Sequence, residues 1–178
     1  MSLHGFDETR SAVALAVARL ALCGALLGCE APPCQVQGPA QRSLQVTVGV
    51  GERGVFQMVR DGETLRLQRG CQGSQHIFTS LRIQPASAGP LQVSVTVSRQ
   101  ADGVVVSAPL SLRLPAEPSD DPHAVQLTGL TPVIEAPRDV VGHEVMIRAE
   151  VTSSDGSHGE DQLVGTVEWG LDSCGGHG

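Results

Sequence analysis

The sequence predicts an all-β chain, an immunoglobulin-like β-sandwich of eight or nine short strands preceded by a helical signal peptide. Three observations lead there. Apolar and polar residues alternate strictly over several stretches, Asp-Gly pairs and prolines punctuate them, and no stretch after residue 30 keeps a helical apolar period. Alternation puts successive side chains on opposite faces of a strand, one buried and one wet. Many short strands with turn signals between them suit a two-sheet sandwich.

Taken in order, Leu44, Val46, Val48 and Val50 alternate with Gln45, Thr47 and Gly49. Leu65 with Leu67, and Ile77 with Leu81 and Ile83, suggest two more strands. Leu91, Val93, Val95 and Val97 give the cleanest run, followed by Leu110, Leu112 and Leu114. Val145, Ile147, Ala149 and Val151 form the next inward face, and Val167, Trp169 and Leu171 the last. Asp61-Gly62 is expected to turn residues 55–60 back onto 63–69, and Asp102-Gly103 to turn 91–99 onto 104–107, because Asp-Gly supplies the positive φ of tight hairpins. Pro85, Pro90, Pro115, Pro122, Pro132 and Pro137 fall where strand edges or loops tolerate them. Residues 142–156 resemble a strand and turn common in extracellular immunoglobulin-like modules.

Ahead of the strands lies an apolar run, residues 20–28, nine residues long and well short of a membrane span. Joining it to residues 11–18 would place Arg19 mid-span, at a cost of about 2.5–3.5 kcal/mol on insertion scales. The run ends in Leu26-Leu27-Gly28-Cys29, which resembles the lipobox of bacterial lipoproteins. The resemblance implies cleavage after Gly28 and acylation of Cys29. Cys23, preceded by the bulky Leu22, does not fit the pattern. Asp7 and Glu8 beside Arg10 depart from the basic start of signal peptides. Glu30 in place of the usual retention aspartate favours the outer membrane over the inner. The expected organisation is a signal peptide over 1–28, a lipidated, Pro-rich tether over 29–41 and a single sandwich over 42–178.

Charge and composition exclude some functions. The net charge is −7, with no basic stripe, so binding of nucleic acid by phosphate neutralisation is not expected. The absence of Lys, Asn and Tyr reads as codon bias towards GC. With only Phe6, Phe56, Phe78 and Trp169, the chain has few rings on which to stack sugars. No nucleophile elbow, His-Glu-x-x-His pair or phosphate loop occurs, so an enzyme is not expected and one with an unrecognised site stands only as a second alternative.

Besides Cys29, the exported part holds Cys34, Cys71 and Cys174, whose default outside the cytoplasm is a disulfide. Three pairings are open. Cys34 with Cys174 is preferred because domain termini are often close, leaving Cys71 buried, free or joined to another molecule.

The most unusual local sequence is Gly70-Cys71-Gln72-Gly73-Ser74-Gln75-His76-Ile77, running into Leu81-Arg82. With Val48-Gly49-Val50-Gly51, Phe56 and Asp61-Gly62-Glu63 it resembles a group of bacterial β-sandwich lipoproteins with a Gly-x-Gln-Gly-x-x-His turn and no established activity, over about residues 44–83. The resemblance supports the fold alone. Gln72, Gln75 and His76 make a candidate polar site, against the plainer reading of a turn that satisfies its own backbone. Cys71 and His76, with Met58, Met146, His123, His143, His158 and His177 elsewhere, form the basis of an alternative, a periplasmic copper or zinc protein, though no pair has a metal-motif spacing. Asp155, Glu160 and Asp161 read as a solvated hairpin tip, since their spacing does not match an EF-hand calcium loop. The overall expectation is an anchored binding or structural module of the cell envelope, held to membrane lipid through Cys29 and meeting an envelope protein, with no cofactor.

Overall fold

Two sheets face each other in the computed structural model, which describes residues 43–170 except Ala88. The expected signal peptide and tether, with Cys29, Cys34, Cys174, His177 and Leu171, lie outside the described residues. The strands are β1 (Gln45–Val50), β2 (Gln57–Met58), β3 (Thr64–Arg69), β4 (Gln75–Ile77), β5 (Thr79–Gln84), β6 (Pro90–Arg99), β7 (Leu110–Pro115), β8 (Glu117–Pro118), β9 (Val125–Leu130), β10 (Glu144–Thr152) and β11 (His158–Trp169). One sheet has the order β2-β1-β5-β9-β8, the other β4-β3-β11-β10-β6-β7. The all-β sandwich expected from the alternation is therefore what forms. It has more pieces than expected because β2 and β8, two residues each, are too short to show an alternation.

The inward faces are those the alternation marks. Leu65 and Leu67, Leu91 to Val97 at every second position, and Val145, Ile147, Ala149 and Val151 are at most 1% exposed. Each buried Val, Leu or Ile contributes about 1.5–3 kcal/mol relative to an exposed one. Two runs depart from the pattern. Leu112 is 37% exposed, with Leu110 and Leu114 only half-buried, because β7 is an edge strand of the wider sheet. Val167 is fully buried but Trp169 is 51% exposed. The reason is length: β11 has twelve residues against six in β1, β5 and β9, so its end runs past the sheet that would cover it.

The two Asp-Gly turns also differ. Gly62 and Gly103 both take the positive φ the sequence suggests. Around Asp102-Gly103 the chain folds back, with Arg99 and Val104 bonded and Ser98 bridged to Val105. Asp61-Gly62 makes no hairpin. It carries the chain from one sheet to the other, because β3 pairs in parallel with β11 rather than with the preceding strand. The turn docks on β11: the Asp61 carboxylate accepts the Val164 N–H at 2.9 Å, and the Gly62 N–H donates to the Val164 carbonyl.

β11 thus acts as a spine. One edge pairs with β10 from His158 to Thr166. The other is shared along its length by three segments. Ser43 and Leu44 bond at His158, the Val48 N–H donates to the Asp161 carboxylate at 2.7 Å, and β3 takes over from Thr166 to Trp169. Gly159 permits the first approach, since a Cβ there would stand 2.2 Å from the Leu44 carbonyl oxygen.

On the outer face of the five-stranded sheet, residues 51–56 fold down as a flap. Ser80 Oγ lies within hydrogen-bond distance of the Gly51 and Val55 carbonyls, and the Gly54 N–H donates to Thr128 Oγ1, which in turn donates to Glu117. The Phe56 ring covers Gly49, and the Arg82 guanidinium sits 4.4 Å from the ring centroid. Gly49, Phe56 and Arg82, apart in the sequence, form one stack that closes the flap.

Candidate functional site

The Gly70–His76 segment is the turn between β3 and β4. The Gly70 N–H donates to the Ser74 carbonyl at 2.7 Å and the Gly73 N–H to the Gly70 carbonyl at 2.9 Å, with Gly73 at φ 84°. Gly70 is needed for space: a Cβ there would lie 2.8 Å from His76 Cε1. The imidazole fills that gap, 7% exposed, and meets the Phe78 ring edge-on at 4.7 Å. Burial pushes the His76 pKa below its ordinary value, because the charged form loses water.

The three polar residues of the expected site are therefore not gathered. Gln72 is exposed at the tip, His76 points into the sandwich, and only Gln75 borders a cavity. The Gln75 backbone carbonyl accepts the Ile134 N–H at 2.7 Å, while its side-chain Oε1 is buried without a hydrogen-bond partner. Cys71 is exposed at the same tip and is disulfide-bonded, to a partner outside the described residues. Of the fates expected for Cys71, burial is corrected by its place at the turn's outer point and a free thiol by the disulfide. In a disulfide it has no thiolate to offer a metal.

A cleft of about 540 Å³ opens beside this turn, lined by Gln75, Ala136, Pro137, Arg138, Asp139 and Trp169. Three distant segments build it: the start of β4, the 3-10 turn Pro137–Asp139 and the end of β11. Its chemistry is an exposed indole and a proline ring flanked by one cation, one anion and an amide. Trp169, Arg138 and Asp139 were not expected here. The only signal for them in the sequence is that Trp169 is the chain's one tryptophan. A second hollow of about 480 Å³ lies between β2 and β3, bordered by Glu52, Gln57, Glu63, Arg66 and Phe78 among others. Arg66 is engaged there by Glu168 at 2.8 Å.

The remaining candidates are dispersed. His158 contacts Thr152 at the start of β11, far along the strand from Trp169, and His123 and His143 are exposed in loops. Met58 is 63% exposed on β2 and Met146 half-buried on β10. Among the described residues no three His, Cys, Asp or Glu side chains gather as a metal site would require. Asp155 caps the β10–β11 turn, accepting the Ser157 N–H at 3.0 Å and the Ser153 hydroxyl, which holds its pKa down at about 2. Glu160 pairs with Arg148 at 2.5 Å, and Asp161 is taken up by Val48, so the three carboxylates serve three separate tasks.

No family model and no curated protein matches the chain. Among solved structures it is similar to the crystal structure of CopC from Methylosinus trichosporium OB3b, at 19% identity over 61% of this chain and 84% of that one, with a TM-score of 0.31. A likeness that loose transfers nothing to this chain.

Proposed function

We propose that the protein is a lipid-anchored module of the bacterial cell envelope that binds a partner protein through the cleft at the Trp169 end of its sandwich. The observation that carries the binding half is Trp169 itself, the chain's only tryptophan, half exposed in a cleft that Pro137 and Ala136 also line. Covering an indole of that exposure contributes about 3 kcal/mol from area alone, and tryptophan is among the residues on which interfaces depend most. Gln75 adds an amide to the lining, and Arg138 with Asp139 supplies charges of both signs. An apolar side chain carried on a polar protein segment suits that mixture.

The anchoring half rests on Leu26-Leu27-Gly28-Cys29 and the Pro-rich residues that separate it from Ser43. Each buried methylene of an acyl chain contributes about 0.8 kcal/mol, so two or more chains hold a protein durably. The net charge of −7 fits a protein partner better than nucleic acid.

A single tryptophan makes the cleft its own reporter. Envelope proteins captured by the anchored wild type should be lost with Trp169→Ala, and addition of the purified partner should shift the tryptophan emission. Equal capture by both forms, or a partner that leaves the emission unchanged, would remove the cleft from the proposal.

A further inference from the structure

We infer that the disulfide partner of Cys71 is Cys174. β3 and β11 run parallel in a fixed register, from Thr64 opposite Thr166 to Leu67 opposite Trp169. The Gly170 N–H still donates to the Leu67 carbonyl at 2.8 Å, so the two parallel strands remain bonded one residue past Trp169. Four residues lead from Leu67 to Cys71 and four from Gly170 to Cys174. Two arms of about 13 Å easily bring two Cα atoms to the roughly 4.4–6.8 Å a disulfide needs.

The other cysteines start from the wrong end. Ser43 is bridged to His158, eleven residues of strand before Trp169. That is about 36 Å of β-structure before the Cys71 turn begins. Nine Cα steps lead from Cys34 to Ser43, about 32 Å even when pulled straight, and Cys71 lies four residues further on than the Leu67–Trp169 pair that ends that stretch. Cys29 is the residue claimed by the lipid in the proposal above, on which the present inference does not otherwise rest.

Formation of the bond removes two protons and two electrons from the thiols. A protein disulfide oxidant of the exported compartment accepts the electrons and is itself reduced to a dithiol. The bridge would hold the chain just beyond Trp169 against the β3–β4 turn, so it forms part of the frame of the cleft.

The sequence makes the pairing readable by digestion. There is no lysine, so trypsin cuts only after arginine, and the cysteines fall in separate peptides: Cys34 in the one ending at Arg42, Cys71 in 70–82 and Cys174 in 149–178. The full-length protein should be taken from membranes in detergent, alkylated without reductant, digested and analysed by mass spectrometry. Peptide 70–82 should be found joined to 149–178, from chains that migrate as monomers without reductant, and the pair should separate on reduction. Peptide 70–82 joined to the Arg42 peptide, joined to itself, recovered singly as its alkylated form, or linked only in a dimer band would each overturn the pairing. The same linked pair should persist in Cys34→Ser, and its loss there would also count against the inference.

Discussion

Replacing Gly159 with alanine tests how the first strand sits on β11. The backbone there is ordinary, with no positive φ, so by conformational entropy alone the substitution would stabilise the protein by about 0.4–1 kcal/mol. The geometry predicts the opposite sign. The new Cβ would stand 2.2 Å from the Leu44 carbonyl oxygen and 2.9 Å from both the Leu44 carbonyl carbon and Cβ. Backbone cannot rotate away as a side-chain tip would, so the start of β1 must move out by about 1 Å. Overpacking of this kind costs about 1–3 kcal/mol. The shift also stretches the 2.9 Å bond from the Leu44 N–H to the His158 carbonyl, worth about 1 kcal/mol. Set against the entropic gain, the net loss is about 2 kcal/mol, or roughly 6–10 °C in Tm for a domain of this size. Thermal unfolding followed by far-UV circular dichroism reads it directly. A Gly159→Ala protein as stable as the wild type, or more so, would show that β1 does not lie against β11 in this way.

Four further outcomes follow from the same structure. Because burial lowers the His76 pKa, the folded state resists its protonation: stability should be full above about pH 6.5, fall as the pH drops towards the lowered value, and then level off. His76→Gln should flatten that part of the Tm–pH profile, and an unchanged slope would contradict the placement of the ring. Asp155, held at about 2, contributes stability that is present above its unfolded value near 3.8 and lost as the pH falls towards 2; Tm measured over pH 2–5 should lose that component in Asp155→Asn. Equilibrium dialysis of the chain against copper and zinc should leave no stoichiometric metal and chelation should not move Tm, whereas one retained ion per chain would revive the metal-handling alternative. Cys29→Ser should abolish incorporation of labelled palmitate and leave an unprocessed precursor, and a variant still processed and acylated would refute the lipobox reading.

What the sequence discloses here is local, and what it hides is length and partnership. Leu91 to Val97 and Val145 to Val151 are legible because a two-residue period maps directly onto the two faces of a strand. The same period misplaces Leu112 and Trp169, since alternation tells which face a side chain takes but not whether anything stands opposite. Asp61-Gly62 illustrates the other gap. Turn chemistry correctly gives the positive φ at Gly62, yet which sheet receives β3 depends on β11, a hundred residues away. The polar trio fails for a related reason. Gln72, Gln75 and His76 are neighbours in sequence, but a turn tip and a strand send them in different directions. The cleft is assembled from residues 75, 136–139 and 169, a grouping no spacing rule contains.

The shared edge of β11 has a mechanical meaning. Ser43 is bridged in parallel to the beginning of that strand, while Trp169 closes its end. In a chain held to a membrane through Cys29 and gripped at the cleft, tension enters at Ser43 and leaves near Trp169, along the axis of β11. Load in that direction shears the contacts of β1 and β3 with β11, so several hydrogen bonds must fail together. Pulled across the strand, the same bonds would open one after another. On the proposed anchoring, the spine lies along the line of pull.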